Sequence, residues 1–117
     1  MEVLFIVLND LKYLDEIFEK FLELKVRGAT MIDSQGMAAA IMQNEGLMSI
    51  MSGPFSRSFE HADRTSKTLF TVIPEPEKVK EVVSAVQKIM AKSRKDVVGF
   101  MFTVPVSGIY PLRPRKK

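Results

Sequence analysis

Two strand-then-helix patterns, a constant offset between them, and one further strand signal after each predict an α+β domain of order βαββαβ. The first pattern begins at residues 2–9, EVLFIVLN, and the second at 67–74, KTLFTVIP. The second repeats the first at an offset of 65 residues, with Leu4-Phe5 against Leu69-Phe70 and Val7 against Val72. The helix positions Leu14, Ile17, Phe18, Phe21 and Leu24 fall against Val79, Val82, Val83, Val86 and Ile89. The residues differ, but both faces stay in register.

Residues 2–9 are apolar at alternate positions on both faces, as a central buried strand requires. Asn9 or Asp10 can cap a helix, and from Leu11 the apolar positions Leu11, Leu14, Ile17, Phe18, Phe21, Leu22 and Leu24 keep helical spacing. Gly28 ends this unit, and Ala29 to Ser34 alternates as a short strand. Residues 67–74 form the second buried strand. Pro74-Glu75-Pro76 punctuates it, with Pro76 suited to the first helical turn. Val97 to about Val106 supplies the last strand.

Right-handed crossovers bring each closing strand back beside its starting neighbour and put both helices on one face of the sheet. The expected result is a ferredoxin-like sandwich: a four-stranded antiparallel sheet, first and third strands central, with a long loop between strands two and three. The other sheet face then presents either Leu4, Ile6 and Leu8 or Val3, Phe5 and Val7, joined by apolar residues of the last strand. Contiguous exposed apolar surface of that size marks an interface, so a homo-oligomer packed sheet against sheet is expected.

The 117 residues fit one domain, assigned to 1–112, and 46% hydrophobic content suffices for one core. With no cysteine, disulfides, thiol catalysis and Cys-ligated metals are excluded. The longest early apolar run, Val3 to Leu8, is too short for a membrane span and lacks a basic flank, which points to the cytoplasm. The net charge of +3 resides in the tail 113–117, where Arg113, Arg115, Lys116 and Lys117 outweigh the whole surplus. The body is mixed in sign, so a nucleic-acid partner is not expected.

Gly28, Thr30, Gly36, the βαββαβ order and the long segment from Met37 to Ser66 together resemble the PII-like signalling family, over nearly the whole chain. The resemblance implies a non-enzymatic regulator of nitrogen metabolism: a homotrimer holding a small effector, nucleotides among the candidates, in clefts between subunits at the base of the loop. It also implies that the 37–66 loop meets a protein target. Nucleotide-binding members start that loop with a Gly-Arg-Gln-type motif and approach the last strand with Gly-Lys. Here those stretches read Gln35-Gly36-Met37-Ala38 and Asp96-Val97-Val98-Gly99-Phe100-Met101-Phe102, and Thr103 to Pro111 has no arginine. The tyrosine that members carry in this loop is also absent, since Tyr13 and Tyr110 lie elsewhere.

Asp33-Ser34-Gln35-Gly36 is the first candidate site, because Ser34 and Gln35 carry donors and acceptors and Gly36 permits a positive-φ turn or close ligand approach. Arg94 and Lys95, between the second helix and last strand, form the other side of the cleft as an anion contact, or else complement the helix dipole. Met37, Met42, Met48 and Met51 make the loop an adaptable partner surface, with Ala38 to Met42 suited to a short helix. His61, the only histidine, stands near Ser58, Glu60 and Asp63 without a spacing that converges on a triad or a metal. No catalytic residue, metal or cofactor is assigned. Two other classes share the strand order: amino-acid-binding regulatory modules, and the trimeric CutA-like metal-responsive proteins.

Overall fold

The computed structural model describes residues 1–36 and 66–114. Strand β1 (Glu2–Leu8) alternates as its sequence requires, with Leu4, Ile6 and Leu8 buried and Val3, Phe5 and Val7 half-buried on the other side. Asp10, rather than Asn9, caps the next element by accepting the Lys12 N–H at 3.2 Å. The first turn, Leu11–Tyr13, is 3-10, and helix α1 runs over Leu14–Glu23.

Helix α1 buries Ile17 and Phe21 in the core and leaves Leu22 75% exposed, so Leu22 drops out of the expected apolar stripe. The helix ends before Gly28. Lys25 takes φ 63, its N–H donates to the Leu22 carbonyl at 3.1 Å, and the Val26 N–H reaches the Phe21 carbonyl at 2.8 Å. This is a Schellman closure with a lysine where glycine is usual, and buried Val26 supplies its apolar contact.

Strands β2 (Thr30–Ser34), β3 (Ser66–Ile73) and β4 (Gly99–Pro105) complete one sheet of order β2-β3-β1-β4, every pairing antiparallel. This is the ferredoxin-like arrangement, with β1 and β3 central. The crossovers do not return beside their starting strands, however. Each skips one place, because a helix of about 10 Å diameter spans two interstrand spacings of about 4.8 Å, and the gap is filled by a strand of the other half. Helix α2 (Pro76–Met90), opened by Pro76, buries Val79, Val82, Val86 and Ile89 beside α1.

The core therefore lies between the two helices and the Leu4, Ile6, Leu8, Leu69 and Ile73 side of the sheet. The opposite side carries Val3, Phe5 and Val7, which settles the choice of face left open by the sequence. The register sets Phe70 and Phe102 on either side of Phe5. The Phe5 and Phe102 rings stack with centroids 4.8 Å apart, Phe70 lies 5.8 Å from Phe5, and Phe100 lies 5.9 Å from Phe102. Phe100 and Phe102 are nevertheless 61% and 43% exposed, with Val72, Val104 and Ile32 open beside them.

Candidate functional site

One end of the sheet gathers the candidate residues. There β2 finishes at Ser34 opposite Ser66, and β1 finishes at Leu8 between Lys67 and Gly99. Antiparallel pairing forces this: two strands end and two begin at the same edge of the layer.

On the open face at that end, three hydroxyls form a closed chain. Thr68 Oγ1 donates to Ser34 Oγ at 3.0 Å, and Ser66 Oγ donates to the Ser34 carbonyl at 2.7 Å. The 2.9 Å contact between Ser34 Oγ and Ser66 Oγ must then carry the Ser34 proton. Every hydroxyl donor is spent within the cluster, since each carries only one proton. Polar contacts to a ligand from this edge would come from Gln35 and the backbone of Gly36, both exposed. On the helix side Lys67 pairs with Asp33 at 2.5 Å, but Asp33 is 87% exposed, so the pair adds little to stability.

Of the two uses expected of Gly36, a positive-φ turn or close ligand approach, the turn is not made. The φ of Gly36 is not positive and a Cβ there would meet nothing within 4 Å. The glycine under constraint is Gly99, with φ +127 and a notional Cβ only 1.9 Å from the Val7 carbonyl oxygen. Only glycine lets β4 enter the sheet opposite Leu8 in that conformation.

Arg94 and Lys95 lie in the connection between α2 and β4, at the other edge of the same end. Lys95 joins two neighbouring connections. Its Nζ donates to the Asn9 carbonyl at 3.2 Å, and its N–H donates to Ser93 Oγ at 3.3 Å. Ser93 in turn donates to the Asp10 carboxylate, 2.5 Å away, tying the α2–β4 connection to the β1–α1 connection. That hydrogen bond is the main reason the Asp10 carboxyl is held below its ordinary range. The Lys12 N–H and the Lys95 and Lys12 charges add to it, and burial opposes it. Lys92 closes the same end of the helix layer by pairing with Glu16 and lying 5.4 Å from the Tyr13 ring centroid.

Ser34-Gln35-Gly36 and Arg94-Lys95 thus share one end of the sheet, the first set where edge strand β2 finishes and the second in the connection that leads into edge strand β4. Lys95 reaches inward from that side as far as Asn9, just past the end of β1. Met37, Met42, Met48, Met51, the Ala38 to Met42 helix and the His61 cluster lie outside the described residues. Among the described residues no three His, Cys, Asp or Glu side chains converge to hold a metal. No helix there is long and apolar enough to cross a membrane.

The family model for the nitrogen regulatory protein P-II matches residues 1–116. The chain belongs to the P-II family. No curated protein matches it. P-II proteins are regulatory proteins of signal transduction, and this P-II chain keeps the family's sheet, with its four antiparallel strands and two helices. Sequence reasoning had not found the Ser34, Ser66 and Thr68 cluster, the Asp10 to Ser93 tie or the role of Gly99. Asp10 carried a capping signal, and Gly99 stood just before an apolar alternation. Ser66 and Ser93 carried no signal, because their partners lie 32 and 83 residues away.

Proposed function

We propose that this P-II protein is a non-enzymatic homotrimeric regulator. It takes a small effector between subunits and passes occupancy to a protein target through residues 37–66. The observation that carries the reading is the division of the candidate site between the two edges of one sheet, on a chain whose open face is apolar. Burying that face against copies of itself removes Phe100, Phe102, Val72 and Val104 from water. Family membership supports three copies. Packing around an axis then sets the β2 edge of one chain near the β4 edge of the next, so Gln35 and Gly36 meet the neighbour's Arg94 and Lys95.

The effector carries an anionic group, because Arg94 and Lys95 are the cations of this cleft. A nucleotide fits that description, but the Gly-Lys approach of nucleotide-binding relatives reads Val97-Val98-Gly99 here, so phosphate binding would rest on Arg94, Lys95 and backbone N–H groups. Met37, Met42, Met48 and Met51 would offer the target an adaptable apolar surface. The cysteine-free composition suits a cytoplasmic protein.

Light scattering tests the assembly, with the expected mass three times the 13.2 kDa chain. A thermal-shift screen of nucleotides, cyclic dinucleotides, oxo-acids, amino acids and divalent ions then finds the effector, since a ligand bound only by the folded state raises apparent stability. Gln35→Ala and Arg94→Ala should each weaken that ligand. Unchanged affinity in both variants removes the cleft. A dimer responding to amino acids, or a trimer responding only to divalent metal, would replace this reading by the other two classes of the same strand order.

A further inference from the structure

A second concavity lies within one chain, apart from the edge-to-edge cleft. Helix α2 sits over β1 and β3, and the helix side of edge strand β4 is left partly uncovered. The resulting cleft encloses about 350 Å³. From the helix it is lined by Val86, Gln87 and Met90, and from the sheet by Leu8, Gly99 and Met101. That volume falls at the lower end of small-molecule sites, and the lining is apolar apart from backbone and the Gln87 amide.

We propose that this cleft binds a neutral, planar, ring-sized molecule with a single amide-like edge. Among the described residues no charged side chain lines it, so a charged group would lose hydration without a partner. Water is also a poor occupant, because an ordered water needs two to four polar partners and the walls provide few. Met90 and Met101 approach from helix and strand respectively, both half-buried. Unbranched thioethers adapt to a flat ring and make favourable sulfur contacts with it. Gln87 is exposed at the rim, where its amide offers one donor face and one acceptor to a ligand edge that stays at the mouth. The site includes neither Ser34-Gln35-Gly36 nor Arg94-Lys95, so the Gln35→Ala and Arg94→Ala variants leave it intact and its failure is distinguishable from theirs, although Phe100, which the proposed subunit packing covers, also lines it.

Benzamide is the probe, titrated into the full-length protein carrying ¹³C-methyl methionine. The Met90 and Met101 methyl signals should shift saturably while Met31, on strand β2, stays fixed. Gln87→Leu should weaken benzamide about tenfold, the loss of one net hydrogen bond. Val86→Phe should fill the cleft and abolish the response. Since Val86 is a core position that variant can misfold, and Ala91→Phe, at the exposed rim, makes the same test from outside the core. No saturable response at Met90 and Met101, or one that survives Ala91→Phe, overturns the site. An equal response at Met31 means non-specific adsorption and overturns it too. Unchanged benzamide affinity in Gln87→Leu overturns the assigned ligand class.

Discussion

Truncating Phe102 to alanine tests the open face as a subunit interface. Phe102 retains 43% of its surface. A phenylalanine has roughly 200 Å² to bury, so about 85 Å² per chain is left for an interface. At about 25 cal/mol per Å² that area is worth roughly 2 kcal/mol per chain, or about 6 kcal/mol for three chains closing together. Since about 1.4 kcal/mol is tenfold in an equilibrium constant, Phe102→Ala should raise the trimer dissociation constant by about four orders of magnitude. Within the chain the variant also loses the stack on Phe5 at 4.8 Å, about 0.5–1.5 kcal/mol that the isolated subunit would feel. Sedimentation velocity over a dilution series measures the first effect, and denaturant unfolding of the dissociated chain measures the second. An association midpoint that moves by less than about tenfold, in a variant with native circular dichroism, would refute the assignment of this face to self-association.

Gly99→Ala should destabilise by about 3 kcal/mol, because it combines a strained φ with a Cβ placed 1.9 Å from the Val7 carbonyl oxygen, and a lowered urea midpoint checks it. Lys25→Gly should do the reverse. Relief of a left-handed residue is worth about 1–2 kcal/mol and the added freedom of unfolded glycine costs about 0.5–1, leaving a gain of about 0.5–1 kcal/mol in the urea midpoint at unchanged m. The Asp10 carboxyl titrates lower in the folded chain than its ordinary 3.8, so its contribution is fully present above that pH and is lost as the pH falls through the folded value. Ser93→Ala removes the largest cause of that shift, so its stability curve should fall less steeply on the acid side, as followed by thermal melts across a pH series.

The elements set by short-range periodicity were legible in the sequence. The 65-residue offset matched the two helices and the two central strands, and the buried stripes Ile17, Phe21 and Val79, Val82, Val86, Ile89 were all within it. Leu22 misled because spacing does not say where an apolar stripe stops, and no local pattern marks which residue takes the left-handed position. Lys25 does so at a cost that Val26 burial offsets. The site was legible only as positions. Ser34 was found, but its hydroxyl serves the β2–β3 joint, and the Ser66 and Thr68 that engage it stand more than thirty residues along the chain. The Asp10 to Ser93 hydrogen bond spans 83 residues and joins two connections that no local pattern pairs.

That joint bears on how occupancy would reach residues 37–66. Ser34 and Ser66 face each other in the last pairing of β2 with β3, so the segment between them leaves the sheet and returns to it side by side. The hydroxyl chain through Thr68 holds the two ends together. Gln35 and Gly36 come directly after Ser34, and so an effector contact at those residues acts one or two positions from a fixed anchor. Under the proposed function such a short linkage would need no long path through the core, because a displacement of Gln35 would be felt where the chain leaves the sheet. Ser34→Ala removes the Ser34 Oγ contacts to Thr68 and Ser66 and leaves the Ser66 bond to the backbone carbonyl of residue 34, without touching Gln35 or Arg94. Under the proposed function it should leave effector affinity nearly intact while uncoupling effector from target, a separation that a loss of both together would rule out.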